Sequence, residues 1–343
     1  MKTEYHIALD VHVSFCEMAV VTGSGKVVAR NRCDTNIPSL VEMIDEVRRP
    51  RKLTFEEGPL ADWLARNLRE HVNEIVVCEP RRNRLIAKDG DKDDDIDAEK
   101  LAHLYRGGYL KSVHQSESLD RSLLKQAVGY YHHCVRERVR QGNQLVAQLR
   151  RHGVFVPAGS LADSENWSEV AKRLPKSMVL HKNVNQKLAM YRLLREQELE
   201  NKQMLVQLAK REEVVRRFTQ IPGVGWIRAV TFYVYVDTPF RFRSKSALWR
   251  YCGIGMKRKH SGKGRTQTEL DHTGNRRLKD VLLGAAKSAI ASKDSPYADK
   301  YDQWRKSSKT HPSTARRNVA RSIATTMLML WKSGESYDAS LVH

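Results

Sequence analysis

Over its first third the chain alternates short apolar runs with turn residues. His6-Ile7-Ala8-Leu9-Asp10 predicts a strand; Phe15–Val21 and Lys26–Arg32 predict two more, joined by Thr22-Gly23-Ser24-Gly25. A helix is expected over Pro38–Val47 and a strand at Lys52–Glu56. A second helix should run from Pro59 to Arg69, where Leu60, Leu64 and Leu68 share one face. Glu74–Cys78 predicts a further strand, Pro80 breaks it, and an acidic loop leads into a helix carrying Ile96, Leu101 and Leu104. Hairpin strands followed by helix-connected strands predict an α/β unit with a mixed sheet.

From Ser118 the period changes. Leu124, Val128, Tyr131, Val135, Val139, Val146 and Leu149 recur at spacings of three, four or their sum. That stripe predicts one unusually long helix, either a coiled-coil arm or one limb of a long hairpin, ended by Gly153 and Pro157. A loop-rich, Ser-containing stretch follows, then a helical segment over Asn183–Arg217. Its polar centre, Glu196–Gln203, argues against a continuous zipper, so packing within the chain and an oligomer contact both stay open. Beyond Ile221-Pro222-Gly223-Val224-Gly225 come helical patterns, a basic Gly-rich loop at Met256–Thr268, and helices around Gly274–Ser292 and Pro312–Trp331. The expected division is 1–115, 116–218, 219–335 and a tail at 336–343, with a mostly α third part.

Charge sharpens this division. The 343 residues carry 60 Lys+Arg against 40 Asp+Glu, a net of +20. Residues 1–115 hold 18 basic and 20 acidic side chains; the remaining 228 hold 42 and 20. A nearly neutral first third is thus joined to a strongly basic remainder, the composition expected of a protein that grips a polyanion such as nucleic acid. No run of 18 apolar residues occurs, and the start lacks an apolar signal core, so a cytoplasmic, membrane-free protein is expected. The five cysteines are scattered with no C-x-x-C, which fits reduced thiols and argues against a disulfide framework or a zinc site.

Three constellations could carry chemistry. Asp10 and Glu56 end predicted strands, and Asp93-Asp94-Asp95-Ile96-Asp97 stands at a helix start, with Asp94 and Asp97 on one face. Carboxylates from two strands and a helix can converge on hard divalent cations, Mg²⁺ above all, and two such ions stabilise the attacking and leaving oxygens of a phosphodiester. The competing account is helix capping and ordinary surface acids. The second is Lys257-Arg258-Lys259-His260-Ser261-Gly262-Lys263-Gly264-Arg265, where cations and glycines surround one hydroxyl. It reads as a phosphate-gripping loop, with Ser261 either a nucleophile or one more hydrogen-bond donor; no general base is identifiable. The third is the Gly223/Gly225 turn, similar to the hairpin of helix-hairpin-helix modules, where amides approach a phosphate. A simple tight turn is its rival. Arg276 and Arg277, in the first turn of a helix, oppose the dipole and so suggest phosphate contact.

Taken in order, these pieces resemble the DEDD transposases of bacterial insertion sequences, the insertion-sequence-one-ten family, which includes the pilin-gene invertases. Ile7-Ala8-Leu9-Asp10-Val11, Phe55-Glu56-Glu57-Gly58 and Lys92-Asp93-Asp94-Asp95-Ile96-Asp97-Ala98 look like its acidic motifs. Arg136-Glu137-Arg138, Asn143-Gln144-Leu145 and Arg151-His152-Gly153 are similar to its long-helix signature. Ile221–Gly225, Tyr251-Cys252-Gly253, Ser261-Gly262-Lys263 and Gly274-Asn275-Arg276 look like its C-terminal domain.

The resemblance implies a RuvC-like, RNase H-type first domain whose Asp10, Glu56, Asp94 and Asp97 bind Mg²⁺. It also implies Ser261 as covalent nucleophile, a non-coding bridge RNA that selects donor and target DNA, and a homo-oligomer, dimer or tetramer. Gly223, Gly225, Lys257, Arg258, Lys259, Lys263, Arg265, Arg276 and Arg277 would then hold nucleic acid in a bacterial, nucleoid-associated protein. The chain departs from the family pattern in three places. Glu57 is an alternative to Glu56, Asp93 replaces the usual Thr, and Glu269-Leu270-Asp271 is more acidic than expected. A RuvC-like junction endonuclease and a non-catalytic nucleic-acid-binding protein are the alternatives.

Overall fold

The alternating pattern at Ile7–Leu9 becomes β1 (Tyr5–Val11), the central strand of a five-stranded sheet. The computed structural model describes residues 3–80, 94–116, 118–162, 164–259, 267–271, 273–307 and 310–342. It divides the chain into two packed units, residues 1–119 and 120–343.

In the first unit, β1 pairs antiparallel with β2 (Phe15–Thr22), which pairs antiparallel with β3 (Val27–Asp34). On its other side β1 runs parallel to β4 (Arg51–Glu56), and β4 to β5 (Glu74–Cys78), giving the order β3-β2-β1-β4-β5. Because side chains alternate, each strand of the pairing feeds two cores. Ile7, Leu9, Met18, Val20, Leu53 and Phe55 pack with α1 (Ile37–Asp45) and α2 (Ala61–Leu68). Ala8, Val21 and Cys78 meet Leu101 and Ala102 of α3 (Asp94–Arg106) on the other face. The start of α1 is set locally: Asn36 accepts the Ser39 N–H, and Pro38 occupies the first turn.

The second unit opens with the expected long helix, α4 (Leu119–Arg150). The stretch read as loop-rich contains a helix of its own, α5 (Ser164–Lys172). The following helix, α6 (Met178–Arg211), starts five residues earlier than the pattern indicated and runs unbroken through its polar centre. Residues 213–217, assigned by pattern to the same helix, belong to a separate short one, α7 (Glu213–Phe218). Helices α4 and α6 pack antiparallel within the chain. Val128 shares a core with Leu205, Arg138 pairs with Glu198, and Gly142 lies against the Tyr191 ring. Toward the tip, Leu145, Leu149, Val184 and Leu188 build a small separate core with Leu161 and Val170.

The main core surrounds α8 (Trp226–Val236), most of whose residues are buried. Around it stand α9 (Lys245–Tyr251), α10 (Arg276–Ala291), α11 (Pro296–Ser307) and α12 (Pro312–Ser333). The region expected to be one basic loop contains two paired strands, β6 (Met256–Lys259) and β7 (Gln267–Leu270). No described helix is long and apolar enough to cross a membrane.

The α4–α8 seam contains a half-buried His132 whose Nε2 lies 3.0 Å from Thr231 Oγ1. The Thr231 hydroxyl spends its one hydrogen on the Ile227 carbonyl, so His132 Nε2 is the donor. Burial, aided by the charge of Arg277, pushes its pKa down to about 4. Between pH 6.5 and about 4 the unfolded chain therefore takes up a proton that the fold refuses, and stability falls as pH falls through that window. Urea midpoints at pH 7 and pH 4.5 should differ less for His132→Gln than for the parent chain.

Candidate functional site

The register of the central strand brings two predicted carboxylates side by side. The last registered pair of β1 and β4 is Leu9↔Phe55, so Asp10 and Glu56 are the next neighbours on adjacent parallel strands. Alternation puts both on the face that α3 covers, with Ala8 and Thr54, whereas Glu57 falls beyond the end of β4. On that face Tyr105 packs edge-on against His6, and Leu101 and Ala102 cover Ala8. Asp97 and Ala98 lie one turn before Leu101 and Ala102 on α3. Asp97 is exposed there, while Ala98 is buried against the sheet. Asp94 is the first residue of α3, one turn earlier.

These donors are oxygen only, the set that suits a hard divalent cation. Among the described residues no three His, Cys, Asp or Glu side chains stand close enough to form a metal cage. Asp10 accepts a hydrogen bond from His12 Nε2 at 3.1 Å. Directly opposite Asp10 on β2 lies Glu17, which no motif singled out; it is 7% exposed and pairs with Arg32 at 3.3 Å. The tight β1–β2 turn was the available signal, since it sets which residues face each other across the hairpin.

The predicted nucleic-acid residues occupy different environments. Gly223 has φ +81°, and a Cβ there would collide with the Ala285 carbonyl of α10, so packing alone requires glycine at this turn. Gly225 is the N-cap of α8, with open space around a Cβ and no side chain capping the helix. Arg276 is exposed. Arg277 instead bonds the Tyr235 hydroxyl and lies over that ring. The Asn275 side chain accepts the Arg277 and Leu278 amides, so part of the first turn of α10 is satisfied by its own cap. Lys257 pairs with Glu269 across the β6–β7 ladder at 3.1 Å. Arg258 and Lys259 lie on β6, while Ser261, Lys263 and Arg265 lie outside the described residues.

Two glycine motifs far apart in sequence prove to be each other's partners. Gly253, at φ +67°, lies so close to Gly274 that a Cβ on Gly274 would overlap the Gly253 amide and the Arg250 carbonyl. The Asn275 N–H then donates to the Tyr251 carbonyl at 2.7 Å. Beside this contact, Asp271 is buried. It accepts from the Thr273 hydroxyl and amide and from Arg250, and these bonds hold its pKa down at about 2.

Comparison with known families adds two matches. A DEDD transposase model of the IS110 type, described as "Transposase", matches residues 7–154. A second, described as "Transposase IS116/IS110/IS902 family", matches residues 215–303. The first span holds the sheet, α3 and α4; the second holds the Gly223 turn, the β6–β7 pair and α10. No curated protein matches the chain.

The glycine contact admits a direct test. Gly274→Ala should cost about 3 kcal/mol through backbone overlap, lowering the melting temperature of this unit by about 6–12 °C. Gly225→Ala, whose Cβ meets open space, should change it far less. Equal melting temperatures for the two variants would remove the contact's role.

Proposed function

The chain belongs to the IS116/IS110/IS902 family of DEDD transposases, and from that premise we propose an RNA-guided recombinase that cuts and rejoins DNA through a covalent phosphoserine. It is a DNA transposase, and DEDD transposases typically use a divalent metal. The finer reading assigns Mg²⁺ to Asp10, Glu56, Asp94 and Asp97 and the nucleophile to Ser261. What supports the carboxylate assignment is that Asp10 and Glu56 each follow the last registered pair, Leu9↔Phe55, of two adjacent parallel strands. A RuvC-like, RNase H-type identity for this unit is supported by its antiparallel strand triplet followed by parallel strands around an acid-bearing central one.

When bound, the cation supplies positive charge against the anionic transition state of phosphoryl transfer. The other steps fall to the chain. Ser261 Oγ gives up its proton and forms a bond to phosphorus, while one bond from phosphorus to a deoxyribose oxygen breaks and that oxygen leaves as a hydroxyl. Attack by another deoxyribose hydroxyl on the phosphoserine rejoins DNA and restores the serine. Ser261 stands between β6 and β7 in the sequence, in the most cation-rich stretch of the second unit. The basic residues of 116–343, exposed Arg276 among them, are assigned to donor DNA, target DNA and a guide RNA. An oligomer, dimer or tetramer, completes the proposal.

Ser261→Ala and Asp10→Ala should each lower strand exchange at least about 10³-fold while guide-RNA binding persists. Denaturing gels should trap a protein–DNA adduct with the parent chain and none with Ser261→Ala. Nicked DNA with free ends, formed equally by both proteins, would instead establish the endonuclease reading.

A further inference from the structure

The carboxylate end of the first sheet contains side chains that the proposed chemistry does not use. Asp10 and Glu17 are directly opposite in the β1–β2 ladder and so share a face. Carboxylates in that position repel, and a buried one requires a partner. Glu17 is buried, and Arg32, directly opposite it on β3, supplies that partner at 3.3 Å. The guanidinium of Arg32 lies 3.7 Å from the centre of the Phe15 ring. The His12 ring stacks on the same Phe15, centroids 4.5 Å apart and planes at 28°. Its Nε2 reaches Asp10 Oδ2 at 3.1 Å. The His12 backbone is held as well: its N–H donates to the Phe15 carbonyl at 3.0 Å, and its carbonyl accepts from Thr35 Oγ1 at 2.8 Å.

We propose that His12, Phe15 and Arg32 form a bracket that orients the Asp10 carboxylate toward a divalent cation and keeps Glu17 from drawing that cation aside. The proposal rests on the reading of Asp10 as a metal ligand. His12 Nε2 engages Oδ2 and so fixes the rotation of the Asp10 carboxylate. Partners of this kind commonly govern metal affinity about 10- to 100-fold. Arg32 neutralises Glu17, whose free charge beside Asp10 would otherwise make a second oxygen donor. Phe15 holds both cationic or donor groups against one ring, so the two functions are mechanically linked. These are positioning residues; none is required to touch DNA.

The test is titration of the full chain, freed of nucleic acid, with Mn²⁺ alone, followed by the electron paramagnetic resonance signal of the free ion. Asp10→Asn should abolish tight binding. His12→Ala should weaken it about tenfold, and His12→Gln, which keeps an N–H donor at a comparable reach, should restore most of the loss. Arg32→Met should act in the opposite sense on binding, tightening Mn²⁺ about three- to tenfold by removing the Arg32 charge beside Glu17 while slowing strand exchange. Adding Glu17→Gln should reverse both effects, a pattern that mere loss of folding does not produce. Parent-like Mn²⁺ binding by His12→Ala, with Asp10→Asn inactive in binding, would overturn the bracket and leave the carboxylate reading standing. Unchanged binding by Asp10→Asn would remove that reading, and the bracket with it.

Discussion

The register of β1 between β2 and β4 is the constraint on which the first unit depends. A strand's side chains alternate with period two, so a slip of one residue exchanges its faces. In the observed register Ile7, Leu9, Met18, Leu53 and Phe55 are buried, while Asp10, Glu17 and Glu56 share the face beneath α3. Five such apolar side chains at about 1.5–3 kcal/mol each amount to on the order of 10 kcal/mol. That equals the whole net stability of a typical domain. The slipped sheet is therefore not a competing state, and the same burial that holds the core also aligns the carboxylates. The chemistry we propose at the strand ends inherits its precision from hydrophobic packing some residues away.

In the second unit the governing contact is between backbones. Gly253 and Gly274 approach closely enough that the chain leaving α9 and the chain entering α10 share a hydrogen bond, from Asn275 to Tyr251. The β6–β7 pair emerges between them, with Asp271 buried at its exit and tied to Arg250 and Thr273. This explains an acidity that looked out of place in a basic region. Asp271 serves the fold, and Glu269 pairs across the ladder with Lys257. The net charge of this part thus overstates the cations available to a polyanion, since Arg277 and Lys257 already have internal partners while Arg276 faces solvent.

Much of this architecture is legible in the sequence. The five strands of the first sheet follow from apolar alternation and turn residues, and the long helix α4 from its three-and-four spacing. The failures have physical reasons. Lys257-Arg258-Lys259 has no apolar alternation to mark a strand; its pairing with Gln267–Leu270 makes it one, because ladder bonds belong to the backbone. The polar centre of α6 argued against a continuous zipper and left the helix's packing partner open. A helix propagates through polar residues once nucleated, and Arg138–Glu198 and Tyr130–Gln197 contacts tie that stretch to α4. The short α5 lay hidden in a Ser-containing stretch whose few apolar residues find their partners only at the hairpin tip.

Sequence by itself determined the alternation of elements, the partition of charge and the ordered acidic and glycine motifs that point to a DEDD transposase. All of these are properties of neighbours along the chain. Only the tertiary structure decided which residues face one another across it. It set Glu17 opposite Asp10, placed His12 and Arg32 on one aromatic ring, and joined Gly253 to Gly274. It also separated cations engaged within the fold from those left to solvent. Such pairings arise from strand register and close packing between distant segments, which no local spacing encodes.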